Sequence, residues 1–213
     1  MKILYDHQIL WRNLGGIVRY FTELTTRSGG AYDVVLGLHY SQNQQLLSSF
    51  PQLQGWTDKP IICEKLLRCS GIGRRIIKIH RSWWNHKHTD KNRELSLKTI
   101  RHGDYDIFHI TYYNPYCNNE IPQGKPVVST IHDMIFEVLP HYFKKNDKTP
   151  ANKVAQVERA TRVICDSENT KRDLVRICNV SPEKIDVVYL ANSLLPPARS
   201  SLSLSLSLSL SLS

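Results

Sequence analysis

Residues 126–131, PVVSTI, constrain the fold of this chain more than any other stretch. The run is short, mostly apolar and rich in β-branched side chains, and Gly124 and Pro126 mark its start. That composition suits a strand buried on both faces of a parallel sheet. His132 and Asp133 follow at once. In open α/β sheets the ligand crevice lies beyond the carboxyl ends of the strands, so a titratable pair at this position marks a candidate site.

Similar runs recur along the chain. Residues 2–6 (KILYD), 33–39 (DVVLGLH), 106–110 (DIFHI), 162–165 (RVIC) and 185–190 (IDVVYL) read as strands. Helical-period segments stand between them, at 17–24, 42–50, 66–100, 151–160 and 168–177, with a helical turn over 134–139. In the first helix Ile17, Tyr20, Phe21 and Leu24 are expected to face inward and Arg19, Thr22 and Glu23 outward. Residues 7–14 and 52–60 read as loops. Ser167 stands where an N-cap is needed, and Pro182 at a first helical position. The alternation predicts an α/β fold with a Rossmann-like, doubly wound parallel sheet over residues 1–195. From Pro196 the chain changes character, and residues 201–213 alternate strictly between Ser and Leu. The low-complexity tail, 196–213, is expected to lie outside the fold.

Composition narrows the class. Five cysteines, an odd count without a C-x-x-C, suggest neither a disulfide framework nor a zinc site. The apolar stretch of a signal peptide is missing from the first residues, and no run approaches a spanning helix. The expected setting is the cytoplasm, either free or peripheral to the inner face of the membrane. The net charge of +9 is local: residues 58–102 hold twelve Lys and Arg against four Asp and Glu, and the other residues sixteen against fifteen. Within this region Ile72, Ile76, Ile79 and Trp83 follow a 4-3-4 spacing, joined by Ile77 and Trp84, while Arg74, Arg75, Lys78 and Arg81 take the remaining arc. Such a helix either packs on the sheet with a solvated basic face or lies on an anionic membrane. No nucleic-acid motif accompanies it, and no nucleic-acid partner is expected.

Three other features point to chemistry. Gly15 and Gly16 precede a helix, which serves either plain turn chemistry or the close approach of a phosphate to helix N–H groups. His109 lies near a strand end, and Tyr112 and Tyr113 in the loop after it offer flat, hydrogen-bonding surfaces suited to sugar rings. Both His109 and His132 also suit satisfied structural roles. A His-Asp hydrolase is disfavoured, because no G-x-S-x-G elbow or metal-ligand spacing accompanies His132.

The ordered set of residues 1–6, Gly15-Gly16-Ile17 with Arg19-Tyr20-Phe21, 106–113, 127–133 ending in His-Asp, 166–174 (DSENTKRDL) and 184–189 (KIDVVY) resembles the N-terminal lobe of glycosyltransferases of family 4. The resemblance implies one lobe of a two-lobed GT-B architecture, retaining sugar transfer and no metal or other cofactor, the nucleotide-sugar donor being a co-substrate. It places Gly15 and Gly16 near the donor diphosphate and His132 at the donor sugar, with Asp133 orienting His132 or binding a hydroxyl. His109, Tyr112 and Tyr113 would line the acceptor side. The acceptor would be a polysaccharide or a lipid-linked sugar. The family's donor-binding lobe does not follow residue 195, so a truncated chain, inactive without a complementary lobe, is expected. The competing reading is a non-catalytic module that docks anionic membrane or a protein partner through residues 58–102.

Overall fold

The structure is a computed structural model and describes residues 1–55 and 71–191, apart from the side chains of His80, Arg81 and Trp84. The start of the basic region, the proline break and the Ser-Leu alternation lie outside the described residues.

The main sheet has six strands, β1 (Lys2–Asp6), β2 (Asp33–Gly37), β5 (Ile107–Ile110), β6 (Val127–Ile131), β7 (Arg162–Cys165) and β8 (Ile185–Val187). They run in the order β2-β1-β5-β6-β7-β8, and every pairing is parallel. This is the Rossmann-like arrangement the alternation predicts. β3 (Tyr40–Ser41) and β4 (Gln54–Gly55) form a separate parallel pair. Neither was legible in the sequence, because two-residue bridges carry no alternation.

Helices follow in the connections: α1 (His7–Leu10), α2 (Gly16–Thr26), α3 (Gln44–Ser49), α4 (Gly71–His102), α5 (Ile135–Val138), α6 (Thr149–Arg159) and α7 (Glu168–Cys178). Single 3-10 turns cover Pro140–Tyr142 and Pro182–Lys184. α1 is a correction, since residues 7–10 form a helical turn where a loop was expected. Ile9 and Leu10 bury there against Tyr5 and Phe21, and that burial outweighs a polar local sequence.

Neighbouring residues of a strand face opposite sides of the sheet. Leu4 packs with Ile100 and Phe108 on the α4 side, whereas Tyr5 packs with Val18, Phe21 and Leu46 on the α2 side. Around β6–β8, Ile131, Val157, Val163, Leu174 and Ile185 close a third cluster. β6 is buried almost throughout, as a strand covered on both faces must be.

The inward face of α2 is rotated from the expected one. Thr22 and Thr25 are buried beside Val18 and Phe21. Each hydroxyl donates to a carbonyl four residues back, Thr22 to Val18 O and Thr25 to Phe21 O, both at 2.8 Å. A threonine that satisfies its hydroxyl in this way buries at little cost. α7 begins as the sequence predicts, with Ser167 Oγ accepting from Thr170 N at 3.1 Å, and ends on Asn179 in the left-handed conformation, φ 51°.

α4 is anchored by its second half. Asn92, fully buried, accepts from His39 N (2.9 Å) and Tyr40 N (2.8 Å) and donates to Tyr40 O (2.8 Å). Four residues on, Ser96 crosses Gly37 so closely that a Cβ there would stand 2.9 Å from Ser96 Oγ. The 4-3-4 stripe of Ile72, Ile76, Ile79 and Trp83 is exposed, and Ile77 is buried instead. The helix thus packs on the sheet with an exposed basic face, one of the two expected arrangements, but it does so through its second half and not through this stripe. The polar residues Asn92 and Ser96 make the close contact because hydrogen bonding and a glycine, not apolar area, fix that crossing.

Candidate functional site

The carboxyl ends of β1, β5, β6 and β7 form one rim. The chain order reverses between β1 and β5, where such folds open their crevice. Asp6, fully buried at the end of β1, spans that point: its Oδ1 accepts from Thr111 N (3.0 Å) and Thr111 Oγ1 (2.5 Å). Gln8 donates to Asp6 (2.8 Å) and exchanges hydrogen bonds with the backbone of Asn114. Asp6 is thus a strut that locks two loops of the rim together. The sequence reading did not single it out.

His132 follows β6 directly. Its backbone is held on both sides: N donates to Tyr113 OH (3.2 Å), and O accepts from Thr170 Oγ1 (3.3 Å). The ring stands edge-on to Tyr20, 5.0 Å between centroids, and to Phe21 at 6.2 Å. Nδ1 lies 2.7 Å from Asp166 Oδ2. The side chains are 11% and 15% exposed, so the pair is partly withdrawn from water. An ionised carboxylate only accepts, so Nδ1 carries the hydrogen and Nε2 is directed elsewhere. Nε2 is buried and has no hydrogen-bond partner among the described residues, and the same holds for Asp166 Oδ1. Buried polar atoms of this kind are uncommon and call for a partner, which a ligand group or a water can supply.

Asp166 was missed as a site residue, although the sheet makes its position intelligible. Ile131 pairs with Cys165 across β6 and β7, so the residues after them leave two adjacent strands side by side. Residue 166 stands to β7 as residue 132 stands to β6. That relation was available from the two strand assignments, but not from spacing along the chain.

The expected orienting role of Asp133 falls instead to Asp166. Consecutive residues leaving a strand diverge, and Asp133 turns to α6. Lys153, fully buried, donates to Asp133 O (2.7 Å) and Glu137 Oε2 (3.2 Å) and reaches Asp133 Oδ1 at 3.4 Å. Its ammonium also lies 5.1 Å from the ring centre of Tyr113 and 5.4 Å from that of Phe136. Asp133 Oδ1 further accepts from Ile135 N (3.2 Å), which starts α5. Lys153 therefore holds residues 133–137 down beneath His132.

Gly15 and Gly16 lie on the same rim. Gly15 has φ 136°, a backbone state that favours glycine, and gives α2 no side-chain cap. The first N–H groups of α2 are consequently unshielded by a side-chain capping oxygen. A Cβ at Gly16 would meet nothing within 4 Å, so its surface is open. Gly16 and Tyr20 are one turn apart on α2, and Tyr20 touches His132, which ties the diglycine bend to the imidazole.

His109 lies deeper. It is buried within β5, its Nε2 2.9 Å from Thr130 Oγ1 and its ring 5.4 Å from Tyr5 and 5.2 Å from Phe21. Burial, with a smaller contribution from His132, lowers its pKa to about 3, so it is neutral. Tyr113 is buried too, its phenol pushed up by burial, and Tyr112 stacks on it at 4.8 Å. Of the two, Tyr112 is the more open. The structure thus brings His132, Tyr112, Tyr113 and the start of α2 together, and leaves His109 beneath them. Arg74, Arg75, Lys78 and Trp83 lie apart, on α4, while the side chains of Arg81 and Trp84 are outside the described residues. No group of three His, Cys, Asp or Glu among the described residues could hold a metal ion, and no described helix is long and apolar enough to cross a membrane.

The model of the family described as Glycosyltransferase Family 4 matches residues 14–191. No curated protein sequence matches the chain. Among solved structures, the Anabaena protein Alr3699/HepE in complex with UDP is similar at a TM-score of 0.50 and 16% identity. The same protein in complex with UDP-glucose gives 0.50 and 15%. Both matches cover 97% of this chain and 50% of the other, so the chain spans about half the length of these solved chains. At such identity the likeness shows the fold.

Proposed function

The chain belongs to glycosyltransferase family 4, and from that premise we propose that its described residues form the acceptor-side lobe of a retaining glycosyltransferase of GT-B architecture. The reaction moves a sugar from a nucleotide-sugar donor to a polysaccharide or lipid-linked acceptor. One observation carries the reading: the imidazole of His132, held by Asp166 at the end of β6, keeps a buried Nε2 without a described partner, and its ring packs against Tyr20 of α2.

In this reading Nε2 hydrogen-bonds a hydroxyl of the donor sugar and fixes it over the rim. The anomeric carbon loses its bond to the diphosphate and gains one to an acceptor oxygen on the same face, whose proton passes to the departing diphosphate. The N–H groups at Gly15 and Gly16 offset the charge that gathers on the departing diphosphate. Tyr112 lies against the acceptor, Tyr113 sets the height of His132, and Asp133 acts through Lys153 on the turn below. The described strands of the main sheet build one sheet, hence one side of a cleft. The nucleotide is held by a complementary lobe across that cleft. The setting is cytoplasmic.

Saturation-transfer NMR of the purified chain with a panel of nucleotide sugars tests this. Transfer to the sugar protons, lost in His132→Ala, is expected. Transfer confined to the nucleotide, or unchanged in His132→Ala, would overturn the assignment.

A further inference from the structure

The stripe on the first half of α4 lies on a different element from the site residues of the rim. Ile72, Ile76, Ile79 and Trp83 are 75%, 46%, 68% and 58% exposed. Their 4-3-4 spacing aligns them along one side of the helix. Four large apolar side chains in line on a surface helix mark an interaction face.

What surrounds the stripe selects its partner. Residues 71–89 contain five Lys and Arg and no Asp or Glu. Arg74, Arg75, Lys78 and Lys87 are exposed there, Arg75 and Lys87 on either flank of the stripe and Arg74 and Lys78 further round the helix beyond Arg75. The Lys87 ammonium lies 5.4 Å from the ring centre of Trp83, at the end of the stripe. A protein partner matched to this face would need both an apolar ridge and a uniformly acidic border. An anionic bilayer supplies both at once, hydrocarbon for the stripe and headgroup charge for its flanks. Tryptophan favours that boundary in particular.

Placement agrees. α4 runs opposite to the strands and meets the carboxyl end of β2 at Asn92. From there back to Gly71 the helix continues for about 30 Å at the rise of an α-helix. The stripe therefore projects at the end of the molecule that also carries the rim.

We infer that the first half of α4 is an interfacial helix that seats this protein on anionic lipid, with Ile72, Ile76, Ile79 and Trp83 in the acyl boundary and Arg74, Arg75, Lys78 and Lys87 on the headgroups. The inference goes beyond sugar transfer and does not depend on it.

Sedimentation of the full chain with phosphatidylcholine vesicles, with and without phosphatidylglycerol, tests it. Binding is expected only with phosphatidylglycerol and is released by raised salt. Two variants alter exposed positions and are checked for folding by circular dichroism. The triple variant Arg74→Glu, Arg75→Glu, Lys78→Glu weakens binding about 100-fold. The double variant Ile79→Asp, Trp83→Asp abolishes it while keeping the basic flanks. The proposal fails if neutral vesicles bind equally well, if anionic vesicles bind not at all, or if either variant sediments as the wild type does. It fails equally if the double variant instead abolishes self-association in solution, which would make the stripe an interface between two copies. If a variant does not fold, the salt release and lipid selectivity of the wild-type chain decide the matter.

Discussion

The imidazole of His132 and the carboxylate of Asp166 leave adjacent parallel strands at the same level and meet at 2.7 Å. Neither lies on a long loop, so the ladder between β6 and β7 sets their separation. The hydrogen bond orients Nε2, and the first prediction concerns its loss. Asp166→Asn should leave the fold intact and weaken sugar contact about 10- to 100-fold, the equivalent of one hydrogen bond to a charged group. Titration by NMR checks the affinity. The 15N shifts of His132 should show the two tautomers mixing in the variant, which a purely structural role for Asp166 would not produce.

His109 makes stability depend on pH. Its folded-state pKa, about 3, lies below the ordinary value of 6.5, so the unfolded chain binds the extra proton between those limits. The contribution is complete above pH 6.5 and is lost as pH falls below it, at about 1.4 kcal/mol per pH unit for one proton. His109→Gln should remove that slope between pH 6.5 and 5 in urea unfolding. His7, also lowered by burial, supplies a residual slope in the same direction.

Lys153 should prove costly to remove. Lys153→Met strands the buried Glu137 carboxylate and the Asp133 carbonyl, a loss of about 3–5 kcal/mol. Adding Glu137→Leu removes the stranded charge and should recover part of that loss. Denaturant midpoints of the wild-type, single and double variants measure both effects.

The two glycines of the bend should separate. Gly15→Ala forces a Cβ into a backbone region that disfavours it, at about 1–3 kcal/mol, and places it 3.4 Å from Val18 Cγ2. Gly16→Val meets open space and should leave thermal stability within about 1 kcal/mol of wild type. It should nonetheless reduce contact with a donor diphosphate, read by 31P NMR of an added nucleotide sugar. Retention of that contact in Gly16→Val would remove the bend from the site.

The strands of the main sheet were legible because each is a compact β-branched run, and so was the cap at Ser167. The inward face of α2 was not, since Thr22 reads as polar until its hydroxyl is seen to bond Val18 O. The pairing of His132 with Asp166 spans 34 residues and appears only when β6 and β7 are set in register. Lys153 was invisible for a related reason: a lysine in an amphipathic helix reads as solvated unless its acceptors, here Asp133 O and Glu137, are brought to it by another turn.

α4 is a single uninterrupted helix from Gly71 to His102, clamped at Asn92. It therefore works as a ruler. Ile79 stands about 20 Å up the axis from Asn92 at the rise of an α-helix, and no loop in that span absorbs error. Whatever grips Ile79 holds the carboxyl edge of the sheet at a fixed stand-off. Altering that height would take the insertion or removal of whole helical turns.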